Sequence, residues 1–225
     1  MHPIYSTILF DFDGTLTSSL ELWLLAFHYA FAKFDLKLTD QVIIERCFYR
    51  AFADVVVEFN LPSSLQFGQM VKEGLSIVFE EATLFSGVQE VLLACANQNI
   101  KLAVVTSSPR TIVAKALKNL DIDSFFSTIV TADDIVNFKP HPEPVLLALE
   151  RLESRSDETL VIGDSQADIL AGQAAGLKTG LFYPDVHKQF YDLQKLKETE
   201  PHFVFHHYDE LDQHIFGTST VLRFL

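Results

Sequence analysis

Thr7-Ile8-Leu9-Phe10-Asp11-Phe12-Asp13-Gly14-Thr15-Leu16-Thr17 decides the fold of this 225-residue chain. An uncharged apolar run leads into two aspartates and a glycine. Such a run reads as a strand buried on both faces, the kind found in parallel sheets. Asp11 and Asp13, spaced i, i+2, leave an extended backbone on the same side. Ionised carboxylates resist burial unless they are paired or bound to a cation. The two at the mouth of an apolar strand therefore suggest a divalent metal site. The competing reading is a strand that ends in a helix cap, with Asp13 or Thr17 as the cap.

Downstream of this stretch the pattern changes. From Ser18 to Phe34, Leu20, Leu22, Leu24, Leu25, Phe27, Phe31 and Phe34 form a wide apolar stripe at helical spacing. Further helices are expected from Thr39 or Asp40 through Arg46, from Ala51 to Phe59, and from Ser63-Ser64 to about Glu81. No strand is expected between 18 and 82, so this region reads as an inserted helical subdomain. After Gly87 a helix leads into alternating strands and helices. Strands are expected at Lys101–Val105, Ser127–Thr131, Thr159–Gly163, Lys178–Tyr183 and Phe203–Phe205. Pro109 is expected at the first position of a helix, and Ser165 caps another that Gly176 closes. The alternation predicts an α/β fold with a doubly wound, mostly parallel, Rossmann-like sheet. The expected domains are an α/β core, residues 1–17 and 83–225, and a helical unit, residues 18–82. Residues 217–225 have no clear reading.

Three apolar strands each run into a polar residue: Phe10 into Asp11, Val105 into Thr106, Gly163 into Asp164. Open α/β sheets bind ligands outside the carboxyl ends of their strands, so these residues are expected to converge. The chain is 48% hydrophobic and 21% charged, which suits a substantial core and argues against disorder. A net charge of −13 makes nucleic acid and anionic membranes poor partners. Cys47 and Cys95 sit in apolar helical patterns and read as small buried hydrophobes. No signal-peptide core and no apolar run of membrane-spanning length is evident, so a soluble, cytoplasmic protein is expected, as monomer or homodimer. His202, His206 and His207 lack the spacing of a zinc site and read as surface or edge histidines.

Asp11-Phe12-Asp13-Gly14-Thr15-Leu16-Thr17 resembles the signature of the haloacid dehalogenase-like hydrolases, in particular their phosphatase branch. The resemblance extends to Thr106 at a strand end, to Lys139-Pro140, and to Gly163-Asp164 with Asp168 four residues on. It implies Asp11 as a nucleophile that forms an aspartyl-phosphate and Asp13 as general acid/base. Thr106, Ser107 and Lys139 would bind the phosphate. Mg²⁺ would be held by Asp11, Asp13 through its backbone carbonyl, and Asp164, and oriented by Asp168. Mg²⁺ favours such oxygen donors. The alternative for Asp168 is a helix surface charge. Residues 18–82 match the position of the family's helical cap. Thr17-Ser18-Ser19 departs from the Val-Asp-Ser often found in phosphoglycolate-type members, which leaves the substrate open.

The resemblance implies Mg²⁺-dependent hydrolysis of a small phosphorylated metabolite, a phosphate monoester, in the manner of phosphoglycolate phosphatases. The alternatives are a sugar-phosphate mutase of the beta-phosphoglucomutase kind and a non-catalytic binding protein that keeps the fold. Substrate choice is expected from the cap, where Arg46, Phe48, Tyr49 and Arg50 concentrate two cations and two aromatics. Guanidinium suits a distal carboxylate or second phosphate. The plainer alternative is a solvated basic helix edge.

Overall fold

A computed structural model describes residues 3–48 and 50–217. Tyr49 and residues 218–225, within the stretches discussed above, lie outside the described residues. The chain divides into two compact units, 19–82 and the remainder.

Among the described residues, the larger unit is built on six parallel strands: β1 Thr7–Phe10, β2 Lys101–Val105, β3 Thr128–Val130, β4 Thr159–Gly163, β5 Lys178–Phe182 and β6 Phe203–Phe205. Their order is β3-β2-β1-β4-β5-β6. β1 and β4 are buried along their whole length, as the apolar runs require. The chain leaves β1 to one side toward β2 and to the other toward β4, which makes the carboxyl end of β1 the switch point of the sheet. Phe10 lies level with Val104 of β2 and Ile162 of β4. Asp11, Thr106 and Asp164 therefore emerge on neighbouring strands at one edge, where open α/β sheets bind ligands.

Helices in this unit are α5 Val88–Asn97, α6 Arg110–Asn119, α7 Glu143–Leu152, α8 Gln166–Ala174, α9 Leu193–Lys197 and α10 Leu211–Phe216. Val145, Ala148, Leu149 and Leu152 of α7 and Ala171 of α8 pack on Leu9, Ala103, Val105, Val130 and Val161 of the strands. Pro109 stands just before α6 with extended backbone, one position earlier than expected. Its ring pre-sets φ without committing the residue to helical ψ. The short α9 and α10 escape a reading by periodicity, because one or two turns hold through tertiary packing rather than propensity.

The smaller unit contains α1 Leu20–Ala32, α2 Asp40–Cys47, α3 Phe52–Glu58 and α4 Ser64–Val78. Thr39 and Ser63 cap α2 and α4 through their side-chain oxygens. A Cβ on Gly74 of α4 would lie 2.9 Å from the Ala26 Cα of α1, so the small residue sets the close approach of these helices. Phe27, Phe31, Phe52 and Phe67 form its aromatic core. Cys47 and Cys95 are free and buried, and burial pushes each thiol up to about 12. No helix among the described residues is long and apolar enough to cross a membrane.

Candidate active site

The turn after β1 is organised by one carbonyl. The Phe12 oxygen accepts from the backbone N–H groups of Leu16 and Thr17 and from the Thr17 hydroxyl, at 3.0–3.1 Å. Gly14 turns the chain with φ of 77°, a region glycine enters without steric penalty. The turn leaves Asp11 buried and Asp13 partly open. Ser108 Oγ donates to Asp13 Oδ2 at 2.5 Å, and the Ser108 N–H donates to Thr106 Oγ1 at 3.0 Å. Thr106 is buried at the end of β2, while Ser107 between them is exposed.

Lys139 reaches the same place from the loop before α7. Its side chain is only 7% exposed. Nζ donates to Asp11 Oδ1 at 2.6 Å, to Asp168 Oδ1 at 2.5 Å and to the Val105 carbonyl at 3.0 Å. The ammonium's three donors all have acceptors in this structure. Asp168 is fixed in turn by the start of α8. The Ser165 N–H and hydroxyl both donate to Asp168 Oδ2, and Ser165 caps the helix by accepting from the Asp168 N–H. Asp168 is thus a buried, bonded residue rather than a helix surface charge. Gly163 makes room for it: a Cβ there would come within 2.3 Å of the Asp168 Cβ.

Asp164 is fully buried at the end of β4. Thr15 Oγ1 donates to its Oδ1 at 3.3 Å and Tyr191 Oη to its Oδ2 at 2.7 Å. Carboxylate oxygens of Asp11, Asp164 and Asp168 lie within 4.8 Å of one another. The structure therefore brings together Asp11, Asp164, Asp168 and Lys139, with Thr106 at the adjoining strand end. Arg46 and Arg50, in the smaller unit, both donate to the Glu58 carboxylate, Arg46 at 2.6 Å.

Electrostatics follow from burial. Burial pushes the Asp11 carboxyl up to about 7; Lys139 opposes this, and Asp168 and Asp13 add to it. Burial, then Asp11 and Asp168, raise Asp164 well above the usual carboxylate range. Burial alone would lower the Lys139 ammonium, but Asp11 and Asp168 outweigh it and hold the group above its ordinary value. One ammonium thus faces three buried carboxylates, an excess of negative charge that a cation would relieve. Burial, with Asp11 and Asp13, also raises the Tyr191 hydroxyl well above its ordinary value, so it stays a proton donor.

Ser108, Thr15 and Tyr191 join the site through the fold, and the motifs read in the sequence assign them no role. Ser108 was within reach, being next to Ser107 in the run after β2. Tyr191 carries no local signal: its partner is 27 residues away. The histidines serve the backbone. Thr179 N–H donates to His202 Nδ1 at 3.1 Å, and His206 Nδ1 lies 2.6 Å from the Tyr183 carbonyl.

Comparison with known proteins agrees with this geometry. The family model described as haloacid dehalogenase-like hydrolase matches residues 8–182. A protein of Bacillus mycoides named pyrophosphatase PpaX is 34% identical over 213 residues, which cover 87% of this chain and 95% of that protein. A crystal structure of a hydrolase from Pseudomonas syringae superposes with a TM-score of 0.77 at 26% identity, covering 92% of this chain and 96% of the other. A provisionally named beta-phosphoglucomutase from Thermotoga maritima gives 0.73 at 25% identity, covering 94% and 97%. With its parallel sheet, its strand-end aspartates and these matches, the chain belongs to the haloacid dehalogenase-like hydrolases.

Proposed function

We propose that this chain is a Mg²⁺-dependent phosphatase that cleaves the P–O bond of a small phosphate compound through a covalent aspartyl-phosphate on Asp11. The observation that carries the reading is the buried cluster at the switch point, with Lys139 joining Asp11 to Asp168 and Asp164 beside them. The donor set is all oxygen and is short of positive charge, which fits Mg²⁺ rather than a thiophilic metal. Asp11, Asp164 and the Asp13 carbonyl would hold the ion, and Asp168 would orient that set. When bound, the ion neutralises charge on the cluster and on the incoming phosphate.

The chain's own groups divide the remaining work. An Asp11 oxygen attacks phosphorus as the bond to the leaving oxygen breaks, and Asp13 delivers a proton to that oxygen. Water then attacks phosphorus, Asp13 takes its proton, and phosphate departs to regenerate Asp11. Lys139 keeps Asp11 in place and offsets its charge, and Thr106 and Ser107 offer donors to the phosphoryl oxygens. Pyrophosphate is the first substrate to test, because relatives 33–34% identical over most of the chain are named pyrophosphatases. Substrate choice is assigned to the helical unit, where Arg46 and Arg50, steadied by Glu58, are the candidates for a distal anionic group.

The test is phosphate release from pyrophosphate, a carboxylate-bearing phosphate monoester, a sugar phosphate and an aryl phosphate, with Mg²⁺ and with chelator. Mg²⁺-dependent release is expected on at least one of them. Asp11→Asn should abolish it, and Asp13→Asn should reduce it about 10²–10⁴-fold. Undiminished turnover by Asp11→Asn, or full activity in chelator, would reject the mechanism.

A further inference from the structure

We propose that Tyr191 is a positioning residue that holds the Asp164 carboxylate in the orientation a bound cation requires, an inference that rests on the Mg²⁺ reading above. Asp164 is fully buried, so no bulk water can steer its side chain. Two protein hydroxyls do so instead: Thr15 on one oxygen at 3.3 Å and Tyr191 on the other at 2.7 Å. A carboxylate accepts about four hydrogen bonds or metal contacts. Two protein donors fix its plane and leave acceptor capacity for a cation. The donor type also matters. An ammonium or guanidinium on Asp164 would cancel the charge that attracts the metal, whereas a phenol orients the group and leaves that charge in place.

Tyr191 is itself held from several directions. Its backbone N–H donates to the His187 carbonyl at 2.9 Å. Its backbone carbonyl accepts from the Tyr183 hydroxyl, also at 2.9 Å. The ring packs against the cluster of Ile169, Leu181, Tyr183 and Leu196 and meets the buried His187 ring edge to face. A hydroxyl that only needed a partner would satisfy itself on any carbonyl. This one is delivered by a built loop to a carboxylate of the reactive cluster. Thr15 is braced in the same way, since the Tyr208 hydroxyl donates to its carbonyl at 2.8 Å. Two phenols from the last part of the described chain thus hold both donors, or their backbone, around Asp164.

The experiment is calorimetric titration of Mg²⁺ into wild-type protein and Tyr191→Phe, without substrate, alongside kcat as a function of Mg²⁺. Partners behind a metal ligand typically change affinity about 10–100-fold. The Tyr191→Phe Kd for Mg²⁺ is expected to rise by about tenfold or more, with kcat restored to within about threefold at saturating Mg²⁺. Equal Mg²⁺ affinity in the two proteins overturns the proposal, whatever happens to melting temperature, because a merely structural tyrosine would lower stability and spare the metal. A wild-type protein that binds no Mg²⁺ overturns the metal reading and this inference with it, and so is distinguishable from failure of the Tyr191 step alone. If Tyr191→Phe does not fold, wild-type protein labelled with 3-fluorotyrosine is titrated with Mg²⁺. Movement of a tyrosine fluorine resonance that persists when each of the other five tyrosines is replaced singly by Phe supports the proposal; no such movement overturns it.

Discussion

Replacing Lys139 with Met keeps an unbranched side chain of similar length but removes the charge that joins Asp11 to Asp168. The Lys139 side chain is 7% exposed and its two partners 9% and 3%, so solvent does little to screen the loss. Removing one partner of a buried ion pair costs about 3–5 kcal/mol, because the other charge stays buried. For a chain of this size 1 kcal/mol moves Tm by about 2–4 °C, so metal-free Lys139→Met should melt about 6–20 °C below wild type near pH 8. The deficit should depend on pH with a definite sign. Asp11 is raised by burial to about 7, above the ordinary 3.8. The stability linked to its bound proton is complete below about pH 4 and is lost as pH rises through about 7. Without Lys139 the carboxyl is pushed higher still, and the loss continues to higher pH. The gap between variant and wild type should therefore be smaller at pH 5.5 than at pH 8. Phosphate release should fall about 10²–10³-fold, the usual effect of deleting one fixed electrostatic donor. Thermal melts at both pH values, with steady-state kinetics at saturating Mg²⁺, make the check. A variant that melts within 2 °C of wild type at pH 8 without metal, or keeps activity within about threefold, would refute the reasoning.

Gly163→Ala should lower kcat/KM by about 10²-fold or more and reduce Tm, because its Cβ cannot coexist with Asp168, 2.3 Å away, and Asp168 anchors Lys139. Kinetics within threefold of wild type would show that the site relaxes around the methyl group. His187 is 1% exposed among Phe85, Phe182, Tyr183 and Tyr191. Among the described residues, neither ring nitrogen has a hydrogen bond of normal geometry. Burial pushes its pKa down to about 4, offset only in part by the Phe182 backbone. The neutral ring contributes stability that is present above about pH 6.5 and lost as pH falls to about 4, roughly 3 kcal/mol in all. His187→Phe should therefore flatten the acid limb of the stability curve by close to one proton, and an unchanged slope in urea melts between pH 6.5 and 4 would contradict this.

Much of this protein was legible from its residues in order. Each site strand is an apolar run that stops at a polar residue, and parallel pairing in register then carries Asp11, Thr106 and Asp164 to one edge. Period and punctuation suffice for that, because burial on both faces demands the apolar run and the strand end demands the change. Lys139 could be picked out by Lys-Pro, but its bonds to Asp11, Asp168 and Val105 belong to the folded loop. Arg46 and Arg50 read as two cations concentrated in the cap, and the fold gives both to Glu58. Ser108, Tyr191 and Tyr208 find partners 95, 27 and 193 residues away. Serine and tyrosine are common and carry no spacing rule, so nothing local marks them. The sequence by itself determined the strands, their polar ends and the motifs that carry the family resemblance, since these depend on periodicity and on short fixed spacings. Only the tertiary structure decided which hydroxyls brace the carboxylates and which charge answers which, because a hydrogen bond of 2.5–3 Å between distant segments exists only once the core has set their separation.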